Sequence, residues 1–301
     1  MPLAPLAEPK SLWTRSLGFV KGFVSTSILL SVLVFINLLQ TLSALFVPFF
    51  RSGVRSFNRF CANFWWGWVV VWSKWWGTKV HFHGDDLPDR ENVLVVCNHQ
   101  EMTDILTLFF LARAKKSLGD LKFYAKNVIK YVPGVGWGMQ FLDCIFLKRN
   151  WSSDHKHIEA TFDKINRYKI PLWLVSYVEG TRVRPSKLEK SREFAEKAGL
   201  TPTEHVLIPR TKGFVATIQG LDSHLDAIYD LTIAYVDGVP SLWQWAKGYV
   251  DDVHIHVRRF SMDEVPQDPK ELSDWLIERY VVKDKLLDAY YKDGTIRNDL
   301  G

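Results

Sequence analysis

His99 and Asp104 stand five residues apart in Val-Leu-Val-Val-Cys-Asn-His-Gln-Glu-Met-Thr-Asp, residues 93–104. An imidazole and a carboxylate at that spacing form a general-base pair under only one local geometry. In a continuous helix they would be about 500° of rotation apart and would diverge. The hydrogen bond therefore needs His99 in a turn after the apolar run 93–97, and Asp104 in the first turn of the helix that follows. The helix dipole also favours a carboxylate there. So placed, Asp104 accepts the Nδ1 proton of His99, fixes its tautomer and leaves Nε2 free to take a proton from an alcohol. Taken alone, the spacing has a second reading, a strand-end histidine that caps a helix. Cys97 lies inside the apolar run and reads as packing rather than as a nucleophile.

Three further blocks follow in order: Phe146-Leu147-Lys148-Arg149, then Val178-Glu179-Gly180-Thr181-Arg182, then Leu207-Ile208-Pro209-Arg210-Thr211-Lys212-Gly213-Phe214. Each places polar or cationic groups just past a predicted strand end, where α/β sheets bind ligands. Arg149 and Arg182 offer planar, bidentate donors suited to phosphate oxygens. Glu179 is expected to orient Arg182, and Gly180 to permit a close turn. Pro209 is expected to shape the pocket wall, and Lys212 to supply a second phosphate or co-substrate contact at a helix start.

With these blocks the chain resembles the glycerolipid acyltransferase family typified by 1-acylglycerol-3-phosphate O-acyltransferase, over about residues 79–291. That family's blocks are Asn-His-x-x-x-x-Asp, a Phe-Ile-x-Arg-like block, Glu-Gly-Thr-Arg and a Pro block. The continuation through 209–214 and Val257-Arg258-Arg259-Phe260 looks most like the branch with lysocardiolipin and lysophosphatidylinositol acyltransferases. Asp143 stands where many members carry Gly, and the chain stops soon after Tyr291, as a bacterial or shortened form would.

The resemblance implies the following. His99 removes a proton from the free hydroxyl of a lysophospholipid as it attacks an acyl thioester, carried by coenzyme A or acyl carrier protein. The Glu179-Gly180-Thr181-Arg182 block binds the acceptor. The expected acceptor is 1-acyl-sn-glycerol 3-phosphate, giving phosphatidic acid; lysophosphatidylinositol or lysocardiolipin is the alternative, and a non-catalytic membrane-shaping scaffold a third reading. No metal and no cofactor is expected. His155 and His157 diverge on a helix, and His254 and His256 alternate on a predicted strand; neither pair is read as a metal site.

The elements that must position these groups alternate in the manner of an α/β domain, a mixed sheet flanked by helices. Strands are predicted at 79–83, 93–97, 122–124, 144–147, 172–177, 206–208, 226–236 and 253–258, with helices between them. Capping boxes are read at Ser186 with Glu189 and at Asp268 with Glu271, and a C-terminal glycine at Gly199.

Before the domain lies a membrane-anchoring segment. The 29 residues between Lys21 and Arg51 carry no charge, and a helix over about 22–47 is expected to lie in the membrane. Six of the 13 Trp fall between 65 and 76, so the helix over about 60–76 reads as interfacial, with Trp65, Trp68, Trp72 and Trp75 or Trp76 on one face. The expected division is an anchor at 1–77 and a catalytic domain at 78–301, in a bacterial inner membrane or the endoplasmic reticulum. Composition agrees: 47% apolar residues exclude wholesale disorder, and a dispersed net charge of +5 fits a membrane surface better than nucleic acid. Three widely spaced Cys exclude a disulfide scaffold and a zinc ribbon.

Overall fold

A computed structural model describes residues 3–148 and 151–294. Two long helices come first, α1 (Leu12–Ala44) and α2 (Val47–Trp75). Ser11 starts α1 by accepting the Thr14 amide through its hydroxyl at 3.4 Å. Near the start of α2, Phe50 leaves helical geometry, and its ring fills the space beside Gly53, where a Cβ would come within 1.8 Å of it. The alternating part runs β1 (Lys79–Gly84), β2 (Val93–Cys97), α3 (Thr103–Ala114), β3 (Leu121–Lys126), α4 (Val135–Phe141), β4 (Ile145–Leu147) and α5 (Trp151–Tyr168). It continues through β5 (Trp173–Ser176), α6 (Pro185–Ala198), α7 (Thr211–Leu221), β6 (Ala227–Tyr235), α8 (Leu242–Ala246), β7 (Asp252–Ser261) and α9 (Pro269–Asp293).

The strands form one sheet in the order β1-β7-β6-β2-β5-β3-β4. Only β6 and β7 pair antiparallel, so the sheet is mixed and β2 lies centrally between β6 and β5. Every side chain of β2 is buried, and the strand's two-residue period divides them between the faces. Val93, Val95 and Cys97 pack with Trp66 and Val70 of α2 and with Leu108 and Phe109 of α3, whereas Leu94 and Val96 pack with Phe162 of α5, Phe214 of α7 and Leu276 of α9. Helices thus cover both faces, and the C-terminal end of β2 delivers His99 from a rigid support.

Two local expectations fail for identifiable reasons. No strand forms at 206–208. The amides there are taken by side chains: Val206 by Asp284, Leu207 by Glu179 and Ile208 by the Ser191 hydroxyl, which leaves none for a neighbouring strand. Ser186 does not cap α6, which starts at Pro185 after the extended Arg184 without a side-chain cap. Asp268 does cap α9, accepting the Lys270 and Glu271 amides, and Gly199 ends α6 in the left-handed region.

The helical hairpin is amphipathic in an unusual sense. α1 buries Ser25, Asn37 and Gln40 and exposes Phe19, Phe23, Phe35 and Leu38. It touches the domain at both ends: a Cβ on Gly18 would strike Tyr249, and one on Gly134 would strike Leu33. By length and composition α1 could cross a membrane. The Trp-rich stretch lies on α2 and divides its indoles. Trp66 is buried and stacked on Phe109 at 5.2 Å, Trp65 donates to the Leu29 carbonyl at 2.8 Å, and Trp72 and Trp76 both donate to the Ser25 hydroxyl. Trp68 is exposed against Phe64, and Trp75 is exposed and stacked on Trp76. On the Trp face expected from spacing, Trp65, Trp72 and Trp76 turn to α1 and Trp68 and Trp75 are exposed, while Trp66, outside that face, is the indole that meets the core.

Candidate active site

β2 ends at Cys97, the chain turns, and α3 begins at Thr103, so Asp104 falls in the helix's first turn. His99 Nδ1 lies 2.9 Å from Asp104 Oδ2. The same oxygen accepts the backbone amides of Gln100 at 2.7 Å and Glu101 at 3.0 Å, and Oδ1 accepts the Tyr235 hydroxyl at 2.7 Å. Asp104 is fully buried, yet each of its contacts is a donor once Nδ1 carries the proton. That network assigns the tautomer and leaves Nε2 as the acceptor. The His99 side chain is 13% exposed, enough for one edge of the ring to be reached.

The turn is fixed from several sides. Glu179 Oε1 accepts the His99 amide at 2.8 Å, while Oε2 accepts the Leu207 amide at 3.0 Å. Glu179 therefore ties the histidine turn to the Pro block. It does not orient Arg182 as expected, since both its oxygens are occupied by backbone. Burial pushes the Glu179 carboxyl up to about 8, opposed by those two amide donors. Asn98 both donates to and accepts from the Ile233 backbone, and the Tyr280 hydroxyl donates to the Cys97 carbonyl at 3.0 Å. Lys283 of α9 is fully buried, pairs with Asp230 and donates to the Leu231 carbonyl at 2.7 Å. Tyr177 stacks on the imidazole with ring centroids 4.1 Å apart, and its buried hydroxyl has no hydrogen-bond partner among the described residues. Cys97 is completely buried, which raises its thiol well above the ordinary range. An unreactive packing role follows.

The cations gather on Glu101, two residues from His99. Arg182 pairs with one of its oxygens and Arg184 with the other. Arg184 also donates to the Gln100 carbonyl at 3.0 Å, and the Val183 amide donates to the His99 carbonyl at 2.8 Å. Two guanidiniums against one carboxylate leave one positive charge in excess beside the base, and both Arg side chains are nearly half exposed. Gly180 takes φ +71°, and a Cβ there would come within 3.0 Å of the Arg210 side chain. Thr181 continues that turn, partly exposed. Pro209 is buried, next to Arg210, whose amide donates to the Val178 carbonyl. Lys212 is exposed in the first turn of α7 and makes no contact with His99, Glu179 or Arg182 among the described interactions. Arg149 lies outside the described residues.

The sequence reading missed Glu101, Arg184, Tyr177, Tyr235, Tyr280 and Lys283. Only Glu101 carried a usable signal, a carboxylate inside the histidine block. No three His, Cys, Asp or Glu side chains converge to hold a metal ion among the described residues.

The acyltransferase sequence profile matches residues 79–236, and the acyltransferase C-terminus profile matches 248–299. The chain belongs to the acyltransferase family. It is 35% identical over 265 residues to 1-acyl-sn-glycerol-3-phosphate acyltransferase 2 of Brassica napus, covering 85% of this chain and 67% of that protein. It is 30% identical over 295 residues to the human 1-acyl-sn-glycerol-3-phosphate acyltransferase delta, covering 95% and 76%. Among solved structures, the 1-acyl-sn-glycerophosphate (LPA) acyltransferase PlsC from Thermotoga maritima superimposes with a TM-score of 0.47 at 16% identity, over 83% of this chain and 95% of that one. In this acyltransferase the His99–Asp104 pair, the Glu179 tie and the Arg182–Glu101–Arg184 cluster all fall within the matched 79–236 segment.

Proposed function

We propose that this acyltransferase moves a fatty acyl group from an acyl thioester to the free hydroxyl of 1-acyl-sn-glycerol 3-phosphate, forming phosphatidic acid. The observation that carries the proposal is the pairing of His99 Nδ1 with Asp104 at 2.9 Å, beside a cluster of two guanidiniums. Nε2 takes the hydroxyl proton as the oxygen attacks the thioester carbonyl. The new C–O bond forms, the C–S bond breaks, and the imidazolium returns its proton to the departing thiolate. A thioester is already activated, so the scheme needs positioning and a base, with neither metal nor prosthetic group. The acceptor's phosphate competes with Glu101 for Arg182 and Arg184, which holds its hydroxyl near the imidazole. Acyl-coenzyme A or acyl carrier protein serves as donor.

The exposed Phe and Trp side chains of α1 and α2 rest in the lipid of a bacterial inner membrane or endoplasmic reticulum and keep the domain at its surface. Each methylene moved into water would cost about 0.8 kcal/mol, so a site at the bilayer surface avoids extracting two long chains. Support comes also from the relatives named for acyl transfer to 1-acyl-sn-glycerol 3-phosphate. The test is a purified assay with paired acyl thioesters and lysolipids, read by product mass. Acylation of lysophosphatidylinositol or lysocardiolipin in preference to lysophosphatidic acid would overturn the acceptor assignment.

A further inference from the structure

Two adjoining hollows lie at the end of the sheet opposite His99. The larger, about 760 Å³, is bounded by α2, the end of α3 and the turn before β3; the smaller, about 510 Å³, continues past the starts of β2, β5 and β6. They share Arg59, Arg90 and Asp120, and together five cations, Arg59, Arg90, Arg113, Lys116 and Lys169, line them against two carboxylates, Asp120 and Asp226. Arg59 pairs with Asp120 at 2.5 Å, and Lys116 with Asp89 at 2.6 Å. Arg113 donates to the Gly67 carbonyl at 2.7 Å. Arg90 and Lys169 have no ion-pair partner among the described residues. The groove lies roughly 20 Å from His99, the length of the extended chain between them, so it is not the acceptor site.

Backbone conformation adds a second observation. Arg90, Lys116 and Lys169 hold φ of 58°, 56° and 45°, a region where a side chain costs about 1–2 kcal/mol. Lys116 and Lys169 follow the ends of α3 and α5, whereas Gly199 and Gly294 stand at the ends of α6 and α9 with φ of 68° and 71°. Glycine would relieve the strain, yet at both ends beside the groove the chain places a cation. The third observation is the rim. Phe60, Phe64 and Trp68 line the larger hollow and belong to the exposed apolar surface of α2.

We propose that this groove is a second lipid site, which takes the phosphate headgroup of an anionic phospholipid while its acyl chains lie along Phe60, Phe64 and Trp68. The proposal rests on the reading of the α1–α2 surface as lipid-facing. Charge complementarity selects an anionic headgroup, and continuity with that surface selects a membrane lipid over a free phosphate. The site orients the domain on the bilayer without entering the chemistry at His99.

The test uses the full chain and a variant combining Arg90→Gly, Lys116→Gly and Lys169→Gly, substitutions that the left-handed backbone accommodates. A control removes the same charge from the exposed side of α6 through Lys187→Gln, Lys190→Gln and Lys197→Gln. Flotation is compared on vesicles of phosphatidylcholine alone and of phosphatidylcholine mixed with phosphatidylglycerol, which is not the proposed product. The glycine variant is expected to lose roughly a hundredfold of the phosphatidylglycerol-dependent partitioning, the equivalent of three basic residues at about 1 kcal/mol each. Its binding to neutral vesicles and its acyl transfer in neutral detergent should match the parent, and the control should keep its preference for phosphatidylglycerol. Retained preference in the glycine variant, or equal loss in the control, overturns the site. Displacement of the parent from the mixed vesicles by free coenzyme A, with the same effect as the glycine substitutions, assigns the groove to the donor and overturns the lipid. A parent that binds phosphatidylglycerol vesicles through these residues but does not acylate lysophosphatidic acid rejects the proposed function and supports the site.

Discussion

Asp104→Asn isolates the charge of the dyad while disturbing little else. The amide can turn its oxygen toward the three N–H donors now held by Oδ2, those of His99, Gln100 and Glu101, and present its NH₂ to the Tyr235 hydroxyl. That hydroxyl rotates to accept. What disappears is the negative charge facing the imidazolium formed in the reaction. At 2.9 Å and an effective dielectric of about 20, the attraction is about 6 kcal/mol, a ceiling of roughly 10⁴ in rate. A hydrogen bond to a charged group is worth about 1.5–3 kcal/mol, a floor of roughly tenfold. General-base catalysis supplies about 10²–10⁴-fold, so kcat should fall by about 10²–10³. The assay follows thiol release from an acyl thioester with lysophosphatidic acid in detergent micelles, alongside thermal unfolding to show that the fold persists. A folded Asp104→Asn protein within threefold of the parent in kcat would refute the reasoning.

Other consequences can be measured in the same preparations. Arg182→Lys should raise the acceptor KM far more than the donor KM, since a lysine cannot present the planar fork; equal changes would exclude Arg182 from phosphate binding. Glu179 has a folded value near 8 against an ordinary 4.5, so between those pH values the unfolded chain binds fewer protons and stability falls as pH rises, by up to about 1.4 kcal/mol per unit. Glu179→Gln lacks that titration, and the parent's stability advantage over it should therefore shrink from pH 5 to pH 8; a constant difference would show that Glu179 does not titrate there. Lys283→Met strands the buried Asp230 and should cost about 3–5 kcal/mol in denaturant unfolding, with most of it recovered in the Lys283→Met, Asp230→Leu double variant; additive losses would contradict the pairing. Trp66→Ala should destabilise by about 3–5 kcal/mol, whereas the exposed Trp68→Ala should leave unfolding unchanged and weaken vesicle binding.

The sequence exposes what is local and hides what is assembled. The His99–Asp104 geometry was legible because a strand end followed by a helix start fixes both positions within five residues. The central strands and the two-sided burial of β2 were legible from the unbroken apolar run 93–97. Glu179 illustrates the limit: its type marked it as functional, but its partners are backbone amides 80 and 28 residues away, and nothing in its own block names them. The same amides explain the false strand at 206–208, whose apolar pattern is right for burial while its hydrogen bonds go to side chains. Tyr280 and Lys283 reach β2 from the last helix, across 183 and 187 residues, and periodicity alone reads them as ordinary amphipathic positions. The Trp cluster gave the right element and a mixed environment, since indole spacing cannot say which side of α2 meets the sheet.

The most direct measurement of the central claim is product formation by His99→Ala. Purified parent and variant are incubated with one acyl thioester and 1-acyl-sn-glycerol 3-phosphate, and phosphatidic acid is quantified by mass. A folded variant should form product at least a hundredfold more slowly than the parent, about the lower bound for a lost general base; acylation at the parent's rate would contradict the account.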